Sequence, residues 1–148
     1  MKHTIETVSQ KDFHEIVEVW EASVRATHHF ITEEYIQQIK PLLLNEYLDM
    51  VDIKCIRNAA SQIIGFSGIA EGKIEMLFIH PDWFGKGAGK SLVHYAIHSQ
   101  HATKVDVNEQ NEQAIAFYQR MGFQVTGRSE TDSLGKPYPL LHMRFGKT

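Results

Sequence analysis

Three glycines at alternate positions, Gly85, Gly87 and Gly89, follow a short apolar run at residues 76–79 and lead directly into a helical pattern. Glycine permits a tight turn and lets the backbone approach a ligand closely. A helix that begins at such a turn offers its first free N–H groups and the positive end of its dipole to an anion. The spacing therefore predicts a binding site for the diphosphate of a cofactor.

A nucleoside triphosphatase turn is the competing interpretation, because Gly89-Lys90-Ser91 also has the form in which a Walker A sequence ends. That motif requires a further glycine at position 84, where this chain has Phe84. No apolar strand ends in a well-placed magnesium-binding aspartate either, Asp106 being the nearest candidate. The diphosphate of a cofactor is the better interpretation.

Two segments together resemble the GCN5-related N-acetyltransferase (GNAT) superfamily, whose members move an acetyl group from acetyl-CoA to an amine. One is Leu77-Phe78-Ile79-His80-Pro81 running into Phe84-Gly85-Lys86-Gly87-Ala88-Gly89, similar to the family's strand and its Gln/Arg-x-x-Gly-x-Gly/Ala turn. The other is Asn111-x-x-Ala114-x-x-Phe117-Tyr118-x-x-x-Gly122-Phe123. Segments such as Val24-Arg25-Ala26-Thr27-His28 resemble, more narrowly, the small bacterial YjaB-type acetyltransferases.

The resemblance implies acetyl-CoA as cofactor and direct attack by a primary amine of a small molecule or peptide. In the family, the strand before the turn pairs with the pantetheine arm, and Tyr118 matches the tyrosine that protonates the departing sulfur. Phe84 departs from the family's Gln or Arg, which predicts weaker phosphate binding that Lys86 or Lys90 can offset. The implied cofactor-binding residues are Leu77, Phe78, Ile79, Gly85, Lys86, Gly87, Ala88, Gly89, Lys90, Asn111 and Tyr118.

An acceptor amine must lose a proton before it attacks, because a lysine-like amine has a pKa of about 10.4. Glu75, just before the apolar run, and Asp106, between two valines, are the two carboxylates placed to take that proton directly or through water. His28, His29, Tyr138 and His142 match segments that line the acceptor side in the family. No metal site is expected, since His94 and His98 lack a carboxylate partner.

Two other functions remain open at this stage. The chain could be a coenzyme A sensor or an inactive partner module that binds without turnover, for which Phe84 and the uncertain base are the support. Acyl-CoA hydrolysis is the other possibility. A covalent acetyl-cysteine route is disfavoured, because Cys55 is on a different strand and has no histidine set to activate it.

Local patterns predict the elements that must position these residues. Alternating or apolar runs predict strands at residues 2–8, 51–57, 62–70, 73–80, 104–108, 123–128 and 138–145, with helical patterns between several of them. The expected fold is an α/β (α+β) arrangement. It has a mixed, mostly antiparallel central sheet of about seven strands, helices on both faces and a splayed strand pair that holds the cofactor.

Composition limits the class of protein. The 148 residues fit a single N-acetyltransferase domain at 1–148, and a hydrophobic fraction of 43% is that of an ordinary globular chain. A net charge of −3 argues against a nucleic-acid partner. One cysteine and no long apolar run predict a cytoplasmic protein with no membrane partner. A homodimer through the C-terminal strands is also expected.

Overall fold

A seven-stranded mixed sheet runs through residues 3–146, which are the residues that this computed structural model describes. Its spatial order is β1-β2-β3-β4-β5-β7-β6, and only the β4–β5 pair is parallel. The strands are β1 (Glu6–Thr7), β2 (Asp52–Arg57), β3 (Ile63–Ala70), β4 (Lys73–Ile79), β5 (Lys104–Asn108), β6 (Phe123–Ser129) and β7 (Leu140–Phe145). The predicted fold class is confirmed.

Two strand predictions were too long. The run at residues 2–8 forms only the short β1, and Lys2 lies outside the described residues. The run at 138–145 pairs only from Leu140, because Tyr138 and Pro139 belong to the preceding loop. Proline has no N–H to give to a ladder, which explains why the strand begins after it.

Four helices cover the sheet: α1 (Phe13–Thr27), α2 (Glu33–Leu42), α3 (Ala88–Ser99) and α4 (Glu112–Arg120). Ser9 and Asp12 form a capping box before α1, and the Thr32 side chain accepts a hydrogen bond from the Tyr35 N–H at the start of α2. The α pattern of α2 ends just after Pro41 and continues as a π turn at Leu43–Tyr47. No helix among the described residues is long and apolar enough to cross a bilayer.

The sheet opens between β4 and β5. These strands pair only at Lys73 with Lys104 and at Ile74 with Val105, and beyond that point β4 pairs only with β3 and β5 only with β7. We call the gap between residues 76–79 of β4 and residues 106–108 of β5 the wedge. It is the splayed strand pair that the sequence predicted.

The apolar core divides between the two faces of the sheet. Helices α1 and α2 pack on one face around Trp20 and Phe66, whereas α3 and α4 pack on the other around Val93, Val105 and Met143. Since neighbouring residues of a strand point to opposite faces, the residues next to Val105 and Met143 face away from α4. That second face of β5, β6 and β7 carries polar side chains, including Asp106 and His142.

Candidate active site

A cleft of about 380 Å³ opens at the wedge, along residues 77–79 of β4, and none of residues 106–108 of β5 lines it. Strand β4, the glycine turn and α4 form most of its wall, and the end of α1 closes it from the opposite side. Of the residues predicted for cofactor binding, the cleft brings together Leu77, Phe78, Ile79, Gly85, Gly87, Ala88, Gly89, Lys90, Asn111 and Tyr118. One predicted acceptor-side residue, His28, lines it as well.

The glycine turn leaves the start of α3 open to a ligand. Gly85 and Gly87 have φ values of +73° and +86°, a backbone conformation that favours glycine. Gly87 is the N-cap residue, so no side chain caps the helix, and the first backbone hydrogen bond runs from the Ser91 N–H to the Gly87 carbonyl at 3.0 Å. The N–H groups of Ala88, Gly89 and Lys90 therefore have no acceptor within the helix. With no acidic residue in this first turn, the geometry suits a phosphate.

Tyr118, on α4, lines the cleft. Its ring packs edge-on against Phe117 and Phe123, with centroid distances of 5.2 and 5.4 Å, and only 5% of the residue is exposed. Burial raises the pKa of the phenol above its ordinary value. The hydroxyl is therefore protonated at neutral pH, as a proton donor requires, although it is a weaker acid than a free phenol.

A hydrogen-bond chain joins the end of α1 to the start of α4. Asn111 caps α4 by accepting from the Ala114 N–H at 3.1 Å, which leaves its amide N–H₂ directed at His28 Nε2, 3.5 Å away. The Thr27 hydroxyl donates to the Ser23 carbonyl at 2.8 Å and lies 2.7 Å from His28 Nδ1. Because that hydroxyl has one proton, it must accept from His28 Nδ1–H. His28 is thus held with the proton on Nδ1, while the electron pair on Nε2 accepts from the Asn111 amide.

Burial, with a smaller contribution from neighbouring His29, lowers the pKa of His28 to about 4. The ring is therefore uncharged at neutral pH, in agreement with its hydrogen bonds. His29 is exposed and does not line the cleft.

Neither carboxylate predicted as the base lines the cleft. Asp106 binds Lys73 Nζ at 2.5 Å and His142 Nδ1 at 2.6 Å. Burial alone would raise the pKa of Asp106, but these two hydrogen bonds outweigh burial and hold it below its usual value. Glu75 is exposed, with its carboxylate 3.8 Å from Lys73 Nζ. Lys73 thus links both carboxylates at the narrow end of the wedge, and their catalytic role stays a prediction.

An aromatic group connects the loop after α1 to the loop before β7. Tyr138 contacts Phe30 and Tyr35, with centroid distances of 6.1 and 5.1 Å, and His28 lies 5.3 Å from Phe30. The Tyr35 hydroxyl donates to Asp132 at 2.7 Å. Tyr138 therefore lies in one contact network with His28, whereas His142 lies on the polar sheet face.

Two residues of the turn have unexpected positions. Lys86 does not line the cleft, because its ammonium lies 5.1 Å from the centroid of the Trp83 ring. Phe84 does line it and is 42% exposed, so an apolar ring occupies the mouth where the family usually has a polar side chain.

Sequence reasoning missed several lining residues: Ser23, Thr27, Trp83, Gln113 and Arg120. A signal existed for the first two, because Ser23 and Thr27 are one helical turn apart and Thr27 directly precedes His28. Arg120 follows Tyr118 by two residues and adds a second cation to the wall beside Lys90. No pattern in the sequence distinguishes it from an ordinary exposed helix residue.

Comparison with known proteins decides the family. A family model described as an acetyltransferase (GNAT) domain matches residues 7–144. The chain belongs to the GNAT acetyltransferase family. As a GNAT acetyltransferase it is an acyltransferase enzyme, which favours turnover over the alternative of a sensor that only binds.

Individual relatives agree with this assignment. The chain is 42% identical over 131 residues to the peptidyl-lysine N-acetyltransferase YjaB of Escherichia coli K12, which covers 88% of both chains. It is 28% identical over 123 residues to the peptidyl-lysine N-acetyltransferase YiaC of the same organism, covering 82% of this chain and 84% of the relative. The match therefore extends over most of both proteins.

Solved GNAT structures agree. The solution structure of apo YjaB from Escherichia coli has a TM-score of 0.87 at 39% identity and covers 100% of both chains. The PaiA N-acetyltransferase of Thermoplasma acidophilum, solved in complex with coenzyme A, has a TM-score of 0.71 at 25% identity, with 98% of this chain and 100% of that chain covered.

Proposed function

We propose that this GNAT enzyme transfers an acetyl group from acetyl-CoA to a primary amine, the side chain of a lysine in a peptide or protein. The observation that carries the proposal is the wedge, because it opens beside the uncapped start of α3. The name of the YjaB relatives, peptidyl-lysine N-acetyltransferase, supports lysine as the acceptor.

Acetyl-CoA, when bound, supplies the activated acetyl thioester. The backbone of Leu77, Phe78 and Ile79 lacks a strand partner on the β5 side, so it can pair with an extended amide chain as an added strand would. The free N–H groups at the start of α3 hold the diphosphate, and Lys90 and Arg120 add positive charge to the same wall. Together these donors would hold acetyl-CoA in the cleft that Tyr118 also lines.

Tyr118 is the proton donor in this proposal. Its buried hydroxyl keeps its proton until negative charge develops on the nearby sulfur, where a positioned acid is most useful. His28, at the end of α1, supports the site from the opposite wall, since its hydrogen bond with Asn111 holds the start of α4, the helix that carries Tyr118.

Glu75 is the carboxylate that we propose for removing the amine proton, through intervening water. Its only ion pair within residues 3–146 is the 3.8 Å contact with Lys73, so its carboxylate is less engaged than that of Asp106. Phe30, Tyr35 and Tyr138 form the acceptor-side wall, and aromatic faces attract the ammonium group of an incoming lysine.

Replacement of Tyr118 by phenylalanine tests the proposal. Loss of the proton donor should lower kcat by about 10²-fold or more, while the affinity for coenzyme A changes little because the ring remains. Free thiol release from acetyl-CoA with a lysine peptide measures kcat, and calorimetry measures binding. Tyr95→Phe, on α3 and outside the cleft, is the matched control.

Three outcomes would contradict the proposal. Folded wild-type protein could fail to bind coenzyme A, thiol could appear at the same rate without an amine, or Tyr118→Phe could keep the full rate. The second outcome would indicate hydrolysis of the thioester instead of transfer.

A further inference from the structure

A second hydrogen-bonded cluster crosses the C-terminal strands on the polar face of the sheet. Ser129 Oγ on β6 lies 2.6 Å from His142 Nε2 on β7, and His142 Nδ1 lies 2.6 Å from Asp106 Oδ1 on β5. The other oxygen of Asp106 accepts from Lys73 Nζ at 2.5 Å. Apart from Lys73, each of these residues is on a different one of the three neighbouring strands, and none lines the cleft in the wedge.

The direction of each hydrogen bond follows from the groups involved. The Asp106 carboxylate can only accept, so His142 Nδ1 must carry a proton. When the ring is uncharged, Nε2 has a free electron pair to which the Ser129 hydroxyl can donate. In serine hydrolases the nucleophilic serine donates to Nε2 of a histidine, and the Nδ1–H of that histidine donates to a carboxylate. The groups of this cluster follow the same order.

The surroundings of the cluster favour a negatively charged ligand. A hollow of about 330 Å³ is lined by Asp106 and His142 together with Lys73, Lys104 and Arg144, and Ser129 adjoins it through its contact with His142 without lining it. Lys104 and Arg144 are cross-strand neighbours, and neither forms an ion pair with a residue that the structure describes. Strand β6 is at the edge of the sheet, so its outward N–H groups have no strand partner within residues 3–146 and can donate to an oxyanion.

We propose that Ser129, His142 and Asp106 form a second catalytic site that hydrolyses small carboxylic esters carrying an anionic group. Ser129 Oγ attacks the ester carbonyl carbon and its proton passes to His142 Nε2. The ester C–O bond breaks, the alkoxide leaves with that proton, and the acyl group remains on Ser129. Water then attacks the acyl carbon, its proton passes through Nε2 to Ser129 Oγ, and the carboxylic acid is released.

Active-site labelling tests the proposal directly. A fluorophosphonate probe should add once to the wild-type protein, and peptide mass spectrometry should place the adduct on Ser129. Ser129→Ala should lose the adduct and reduce hydrolysis of 4-nitrophenyl hydrogen succinate by about 10²-fold or more. Ser133→Ala, in the exposed loop after β6, is the matched control and should retain both. The neutral 4-nitrophenyl acetate should be a poorer substrate than the succinate.

A cysteine variant gives a second measurement. Cys55 is the only cysteine in the sequence and is buried, so Ser129→Cys introduces one accessible thiol. A thiol paired with His142 should react with iodoacetamide about tenfold or more faster than the thiol of Ser133→Cys. Ser129→Ala should keep acetyl transfer from acetyl-CoA, which separates this site from the wedge.

The proposal is overturned if folded wild-type protein gives no adduct on Ser129, if Ser129→Ala retains ester hydrolysis, or if both cysteine variants react at the same rate. Simultaneous loss of acetyl transfer and ester hydrolysis in folded Ser129→Ala would also overturn it, because the two sites would then not be separate.

Discussion

At the end of α1, His28 combines burial with a fixed proton position. Its Nδ1–H is directed at Thr27 and its Nε2 at Asn111, so protonation of Nε2 would place two donors against each other. This conflict adds to burial as a reason for an uncharged ring. The residue therefore links the stability of the protein to pH.

Acid should destabilise the protein partly through His28. An unfolded histidine takes up a proton as the pH falls below about 6.5, whereas folded His28 resists until about 4, so protons favour the unfolded chain in that window. Above pH 6.5 the uncharged His28 makes its full contribution to the free energy of unfolding. Roughly 2–3 kcal/mol of that contribution is lost as the pH falls toward 4.

Urea unfolding of wild-type protein and His28→Gln between pH 7.5 and about 4 measures this term. As the pH falls, the free energy of unfolding should decrease more for the wild-type protein than for His28→Gln. A difference that stays constant over this range would refute the assignment.

At the scale of elements, the first turn of α3 separates cofactor affinity from helix stability. Lys90→Glu places a negative charge where the diphosphate would bind, yet an acidic residue in a first helical turn is favourable for the helix itself. Affinity for coenzyme A should fall about tenfold or more, with no loss of thermal stability. Calorimetry and a thermal melt check the two quantities.

Lys86→Glu is the matched variant for that experiment. The Lys86 ammonium lies over Trp83 outside the cleft wall, so this charge reversal should weaken binding less than Lys90→Glu. Equal losses in both variants would mean that Lys86 also reaches the phosphates, as the sequence predicted.

The connection from α4 to β6 depends on one glycine. Gly122 has a φ of +104°, and a Cβ atom there would lie 3.0 Å from Phe145 Cε1. Gly122→Ala should therefore lower the free energy of unfolding by about 1–3 kcal/mol. Gly127→Ala is the control, since its Cβ would meet its nearest neighbour at an ordinary 3.5 Å and its φ is not positive. Urea denaturation compares the two, and similar losses would contradict the strain argument.

At the scale of the whole molecule, the sequence predicted what depends on local chemistry. The glycine turn and the Asn111-to-Gly122 motif each lie within a short stretch of chain, so short motifs were sufficient. The contacts that sequence reasoning missed join distant segments. His28 meets Asn111 across 83 positions and Asp106 meets His142 across 36, and both meetings depend on strand register and helix placement.

Asp106 also illustrates the dependence of side-chain partners on strand register. Its place between two buried valines predicts a side chain on the face opposite α4, as observed, but its partners Lys73 and His142 come from other strands. The expected homodimer through the C-terminal strands stays a prediction.

Because β4 and β5 share only two residue pairs, the two parts of the sheet are joined through Lys73 and Ile74 and through the apolar core to which both contribute. A ligand bound between the two parts of the sheet contacts both of them and restricts their relative motion. Cofactor binding should therefore slow backbone amide hydrogen exchange in β3 and β7 as well as beside the ligand. The exchange rate in those strands then reports the fraction of the enzyme that carries the cofactor.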